Sequence, residues 1–255
     1  MRIRKTAVAG QFYPAQPDQL QAMIRGFLAQ ASGSGPTPKA IIAPHAGYRF
    51  SGPIAAAAYA RLQGASFQRV LLLGPAHTVR LQGIAASSAE VFATPLGEVV
   101  VAVTAVQTSL TLPSVQLMDE AHLREHGLEV HLPFLQMVCP GFELVPFVVG
   151  VVETADLTHL LTTLYTPHTL IVISSDLSHY YDYHTAQQLD RTTSQAIEQL
   201  QPAAVEQACG RYPICGLLQF ARQHHWQAQT IDLRNSGDTG GPRDRVVGYG
   251  AYIFS

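Results

Sequence analysis

Chemically capable side chains stand at the ends of three apolar runs in the sequence. His45 follows AIIAP, His77 follows LLLGPA, and Asp176 and His179 follow LIVIS. Runs that are apolar throughout are typical of strands buried on both faces. Because ligand crevices of open α/β sheets lie beyond the carboxyl ends of the strands, we expect these side chains to converge there. Two imidazoles at that edge would supply half of a metal's ligands, whereas the alternative is that each histidine only closes its own loop by a hydrogen bond.

Asp176 and His179 are three residues apart at one of these strand ends. A carboxylate beside an imidazole fixes its tautomer and raises its basicity, which suits a general base. The pair therefore predicts an acid–base function, with Asp176 orienting His179. The alternative is local, since Ser175 or Asp176 could instead cap a helix that begins at Leu177.

A second pattern is His122-Leu-Arg-Glu125-His126, which spells the H-x-x-E-H motif of one class of zinc protease. On one helix, His122 and His126 would share a face. A metalloprotease would also need a third ligand and a substrate groove, neither of which the sequence identifies. His126 and His131 are five residues apart and would diverge by about 140° on a regular helix, although the nearby Pro133 favours an irregular helix end.

Cys209 lies in QACGRYPICG and forms no C-x-x-C pair with another cysteine. A lone cysteine usually packs in a core. As a metal ligand, its thiolate would instead join two histidines as a soft donor.

The composition excludes several classes of function. Charged residues make up 13% of the 255 residues, about half the usual share, and the net charge is −2, which predicts neither a nucleic-acid partner nor a membrane partner. The three cysteines favour a reducing compartment. The segment after the basic start MRIRK is too short and too polar for a signal peptide, so we expect a cytoplasmic protein. Neither a P-loop nor the motifs G-x-G-x-x-G and G-x-S-x-G occur.

The pattern of apolar residues predicts the elements that must position these side chains. Strands are expected in KAIIAPHAGY, RVLLLGPAHT, ELVPFVVG, TLIVISSDLSHY and VVGYGAYIFS. Helices are expected over 17–30, with Asp18 as a cap, over 119–138 with a break near Pro133, and after the first and fourth of these strands. This alternation predicts one α/β domain over residues 1–255, with a central, mostly parallel sheet flanked by helices.

Seven sequence blocks occur in a specific order and cover nearly the whole chain: AGQFYPA, APHAGYRFSGPIAAAAYARL, LLLGPAHTV, EHGLEVHLPFLQ, ISSDLSHY, CGRYPI and VVGYGAY. In this combination they resemble the Memo family, whose bacterial and archaeal members carry the label AmmeMemoRadiSam system protein B. The resemblance implies the fold of the LigB-like class III extradiol dioxygenases, which use non-haem Fe(II).

The resemblance also implies residue roles. His45 and His77 match the two metal-site histidines of the family, and Cys209 matches its third metal-site residue, where the dioxygenases have a carboxylate. His179 matches the acid–base histidine of the dioxygenases, and Phe12 stands where animal members have a tryptophan near the pocket. The pocket implied in this way comprises Phe12, Tyr48, His126, His131 and Arg211.

From these observations we expect a metal-dependent redox protein, oxygenase-like, with one iron or copper ion; zinc also suits two histidines and a thiolate. Its substrate would be a small molecule or a peptide. The prokaryotic label suggests a functional link to a radical-SAM protein and an Amme-type protein. Two alternatives remain: a non-catalytic module that binds a peptide or protein in the same cleft, and a zinc-dependent hydrolase.

Overall fold

Twelve strands and nine helices make up the fold. The computed structural model describes residues 1–255. The strands are β1 (Ile3–Arg4), β2 (Ala40–Ala43), β3 (Arg69–Pro75), β4 (Ile84–Ala86), β5 (Val91–Thr94), β6 (Gly97–Val100), β7 (Val115–Leu117), β8 (Glu143–Val149), β9 (Thr169–Ser174), β10 (His179–Tyr181), β11 (Ala228–Asn235) and β12 (Val246–Phe254). The helices are α1 (Pro17–Gln30), α2 (Tyr48–Ala60), α3 (Val103–Ser109), α4 (Asp119–Leu123), α5 (His126–Glu129), α6 (Leu132–Val138), α7 (Thr154–Leu164), α8 (Tyr183–Glu198) and α9 (Arg211–Gln223).

The centre of the molecule is a sheet of nine strands in the order β10-β12-β2-β9-β3-β8-β4-β7, with β11 added to β12. Its four middle strands β2, β9, β3 and β8 are parallel. Every residue of β2 and β9 is buried, as expected for strands covered on both faces. The carboxyl ends of β2, β3 and β9 therefore meet at one edge of the sheet, which confirms the predicted α/β fold.

The outer part of the sheet is mixed. Strand β12 runs antiparallel to β2, β10 and β11, and β4 runs antiparallel to β8. The predicted mostly parallel arrangement thus describes the four middle strands. A separate sheet of β1, β5 and β6 was not predicted, because its strands are only two to four residues long.

Two groups of helices flank the sheet: α1, α2 and α6 contact one another, and α7 contacts both α3 and α9. Helix α1 has the predicted bounds, but its N-cap is Gln16 and no side chain caps it. The predicted cap Asp18 lies in the first turn instead. Pro17 opens the helix at N1, and because it lacks an N–H, the helix start has one unpartnered donor fewer.

The predicted long helix over 119–138 is three short helices, α4, α5 and α6. The first break lies at Arg124 and Glu125, and the second, at Val130 and His131, lies close to Pro133 as predicted, with Pro133 in the first turn of α6. His122 and His126 are therefore on different helices and share no helix face.

One contiguous hydrophobic core of 73 buried residues runs from Val8 to Phe254, so the chain has no second core that would mark a second domain. None of the helices combines the length and the apolar composition needed to cross a lipid bilayer.

Candidate metal centre

Three histidine rings meet where the middle strands end. His45 follows β2, His77 follows β3, and His126 is the first residue of α5. One ligand atom from each of the three rings lies within 4.8 Å of the other two. Their ring centroids are 4.4 to 5.4 Å apart. Imidazole nitrogens at this spacing form a group that could hold a metal ion.

The ring of His45 is fixed in one tautomer by its neighbours. Its Nδ1 lies 2.7 Å from Oγ of Ser174, the last residue of β9. The single hydroxyl proton of Ser174 goes to the carbonyl of Gly127, which can only accept. Nδ1 of His45 must therefore donate to Ser174, which leaves Nε2 unprotonated. Burial, together with neighbouring histidines, holds the pKa of His45 well below its usual value, so the ring stays neutral.

His77 is held by the carboxylate of Glu125. Nδ1 of His77 donates to Oε1 of Glu125 at 2.7 Å, and the His77 backbone N–H donates to Oε2 at 2.8 Å. Burial of Glu125 favours its neutral form, but the hydrogen bonds from His77 outweigh burial, so the carboxyl pKa lies below its usual value. A carboxylate only accepts, so His77 also carries its proton on Nδ1 and offers Nε2. The His77 side chain is 28% exposed, which leaves the centre open to solvent.

His126 lies beside the same carboxylate. Its Nδ1 is 3.6 Å from Oε1 of Glu125, and Phe12 packs against its ring with centroids 4.8 Å apart. Burial lowers the pKa of His126 to about 4. The rings of His45 and His126 are therefore neutral at pH 7, which is the form that binds metal.

Cys209 adjoins the group at His45. Its Sγ lies 3.3 Å from Nε2 of His45, and the backbone N–H of Asp176 donates to the sulfur, also at 3.3 Å. The next residue is Gly210, where a Cβ would lie 2.7 Å from the Ser174 carbonyl oxygen, so only glycine lets this loop lie against β9. Burial raises the pKa of the Cys209 thiol to about 12 in the metal-free protein.

The expected pairing of Asp176 with His179 is wrong. Asp176 Oδ1 instead accepts the backbone N–H of His45 at 2.8 Å, so it shapes the loop that carries the His45 ring. His179 Nδ1 donates to the Leu177 carbonyl at 2.8 Å, and this bond orients the ring with Nε2 free. Without a partner carboxylate, burial lowers the pKa of His179, so the neutral ring is favoured rather than the imidazolium.

The other predicted pocket residues have separate surroundings. Tyr48 is 2% exposed, and its hydroxyl donates to the Val130 carbonyl inside the core. His131 is also buried, with Nδ1 2.8 Å from the Tyr59 hydroxyl. Arg211 is exposed, and its guanidinium lies over the ring of Tyr212. Of the five, Phe12 and His126 are the two whose contacts place them at the histidine group.

His122 is buried outside the three-histidine group. Its Nε2 donates to the Ala85 carbonyl at 3.0 Å, and its ring meets that of Phe92 edge-on. The H-x-x-E-H motif therefore does not form a pair of ligands in this fold. Its glutamate, Glu125, serves His77 instead, a role that the sequence analysis missed because the two residues are 48 positions apart.

A buried ion pair anchors the N-terminal segment beside this centre. The carboxylate of Glu129 in α5 pairs with Arg4 and accepts hydrogen bonds from the Tyr13 hydroxyl and the backbone N–H of Ala7 and Val8. The segment fastened in this way carries Phe12 to its contact with the His126 ring. The anchor was not predicted from the sequence.

Arg4 also donates to the backbone carbonyls of His122 and Glu125. One side chain thus ties β1 to the turn between α4 and α5. The turn that presents Glu125 to His77 is therefore held from outside the centre.

Comparisons with known proteins place this architecture among relatives. A family model described as "Memo-like protein" matches residues 4–253. A MEMO1 family protein of Aeropyrum pernix is 37% identical over 281 residues, covering 98% of this chain and 99% of its own. A MEMO1 family protein of Aquifex aeolicus is 35% identical over 268 residues, covering all of both chains. An uncharacterised Escherichia coli K12 protein of known crystal structure aligns with a TM-score of 0.52 at 12% identity, over 84% of this chain and 98% of its own, which shows a shared fold alone.

Proposed function

The chain belongs to the Memo-like family, and we propose that it is a redox protein that works with a single iron or copper ion at the His45–His77 centre. The observation that carries this proposal is the convergence of His45, His77 and His126, whose ligand nitrogens lie within 4.8 Å of one another. The thiol of Cys209 lies beside His45 as an additional donor.

The donor set suits these metals. Imidazole nitrogens bind iron, copper and zinc, and a thiolate adds a soft donor that favours copper and zinc over hard cations such as magnesium. His45, His77 and Cys209 are our proposed ligands, with His126 as the neighbouring fourth candidate. A redox-active ion held there would exchange electrons with a small-molecule or peptide substrate.

We assign proton transfer to His179. Its Nδ1 is occupied by the Leu177 carbonyl, so Nε2 carries the lone pair that can accept a proton. The ring is partly exposed, which leaves it within reach of a substrate. A positioned general base typically contributes about 10²–10⁴-fold to a rate.

Element analysis of protein purified without air or added metal tests the metal assignment. We expect about one iron or copper per chain, lost in His45→Ala and His77→Ala and kept in the control His159→Ala, whose histidine is exposed on α7. Metal retained in both site variants would overturn the proposed site. Zinc together with peptide hydrolysis would favour the hydrolase, and protein that binds no metal would favour the binding module.

A second experiment tests the role of His179. We expect His179→Ala to keep the metal and to lose O₂ consumption measured with a reductant, whereas His45→Ala loses both. An empty site in His179→Ala would make His179 a ligand. Full O₂ consumption in both variants would place the activity outside this centre.

A further inference from the structure

We propose that Glu125 is the positioning residue of the metal centre, holding His77 in its metal-binding tautomer and supplying a buried negative charge beside two of the rings. This inference rests on the metal-binding part of the proposed function. It concerns a residue that lies behind the ligand atoms rather than among them.

The hydrogen bonds of Glu125 fix both its own carboxylate and the ring of His77. Its carboxylate accepts from Nδ1 and the backbone N–H of His77 and from the backbone N–H of Gly127 at 2.8 Å. The last bond makes Glu125 the N-cap of α5, so the carboxylate is fixed by its own helix. Both the ring and the loop of His77 are therefore oriented by one rigid group.

The same oxygen also faces the second ring. Oε1 of Glu125 lies 3.6 Å from Nδ1 of His126, and Gly127 leaves room for this approach, since a Cβ there would meet Oε1 at 3.1 Å. A single carboxylate oxygen is thus adjacent to two of the three rings. Loss of this oxygen would disturb His77 directly. It would also disturb His126, because Glu125 caps the helix α5 that begins at His126.

Charge distinguishes Glu125 from the other buried glutamate of this turn. Glu129 is paired with the guanidinium of Arg4. The carboxylate of Glu125, whose side chain is 1% exposed, has no lysine or arginine partner and lies beside the rings of His77 and His126. Arg4 reaches only its backbone carbonyl. Because a buried charge is costly without a counter-charge, a cation bound by these rings would be the partner that Glu125 lacks.

Glu125→Gln is the decisive substitution because it conserves shape. An amide has one accepting atom, so it cannot accept at both positions as the carboxylate does. With its oxygen toward Nδ1 of His77, its NH₂ opposes the His77 backbone N–H. With the amide reversed, the NH₂ donates to Nδ1 and moves the ring proton to Nε2, the nitrogen needed for metal.

The test measures Zn²⁺ alone, which binds without redox chemistry, by competition with a chromophoric chelator. We expect Glu125→Gln to weaken Zn²⁺ binding by about 10–100-fold, the usual effect of removing an outer partner of a ligating histidine. The control Glu120→Gln, an exposed glutamate of the adjacent helix α4, should bind as the parent does. In metal-free protein, ¹H–¹⁵N NMR should find the His77 proton on Nδ1 in the parent and a changed tautomer population in Glu125→Gln.

Unchanged affinity together with an unchanged His77 tautomer would overturn the proposal. If the parent bound no Zn²⁺, the metal centre itself would fail, and the NMR result on metal-free protein would still decide whether Glu125 sets the tautomer. Should Glu125→Gln not fold, Glu125→Asp is measured in the same way. Its side chain is one methylene shorter and draws the carboxylate away from the two donors of His77, so full parental affinity in that variant would refute the positioning role.

Discussion

Removing the charge of Glu129 should destabilise the protein strongly. The side chains of Arg4 and Glu129 are 4% and 0% exposed, so the substitution Glu129→Gln leaves a guanidinium buried without a counter-charge. Breaking a buried pair in this way costs about 3–5 kcal/mol. The glutamine keeps the volume of the glutamate, so little of this loss comes from a cavity. The expected loss therefore comes from the stranded charge of Arg4 and from the hydrogen bonds that a single amide oxygen cannot accept from Tyr13, Ala7 and Val8.

Urea unfolding followed by far-UV circular dichroism measures this loss. At a denaturant slope of about 3 kcal/mol per M, the midpoint should fall by about 1–1.7 M. The matched control is Arg4→Met combined with Glu129→Gln, which removes the stranded cation as well. We expect this double variant to be more stable than Glu129→Gln alone, because no buried charge remains unpaired.

Two results would refute this reasoning. A midpoint shift below about 0.3 M, worth about 1 kcal/mol at that slope, would mean that water or another group compensates Arg4. A double variant less stable than the single one would mean that packing rather than charge dominates at this anchor. Glu129→Gln should also disturb the position of the His126 ring slightly, because the anchored segment carries Phe12 to that ring.

Three further predictions concern single sites. His122→Ala should leave the metal content unchanged, since His122 is bonded to the Ala85 carbonyl; loss of metal in element analysis would contradict this. Gly210→Ala should weaken metal binding, because its Cβ would lie 2.7 Å from the Ser174 carbonyl oxygen and displace the cysteine loop, and Co²⁺ absorption would detect the lost thiolate. Burial raises the pKa of Asp190 to about 6, above its unfolded value, so its contribution to stability falls as the pH rises from about 4 to 6. Asp190→Asn should remove that decline, which melting temperatures measured between pH 4 and 6 would show. Melting temperatures that change with pH in parallel for both proteins would contradict this prediction.

The sequence alone determined the framework of this protein. Apolar runs without alternation identified β2, β3 and β9 as buried strands, because a strand covered on both faces has no polar side to show. Their polar tips then placed His45 and His77 at one edge of a sheet. The local pattern was enough to predict these strands, because the extent of a strand and the position of its end are set by contiguous residues.

Tertiary structure decided what each of these side chains touches. His45 and Cys209 are 164 positions apart, and Asp176 reaches the His45 backbone across 131 positions instead of the ring three residues away. No local spacing encodes such contacts, because they depend on how strands and loops from distant segments approach each other. The same holds for the break before α5, which depends on the fold and not on the H-x-x-E-H motif. This break turns Glu125 toward His77 and separates His122 from His126.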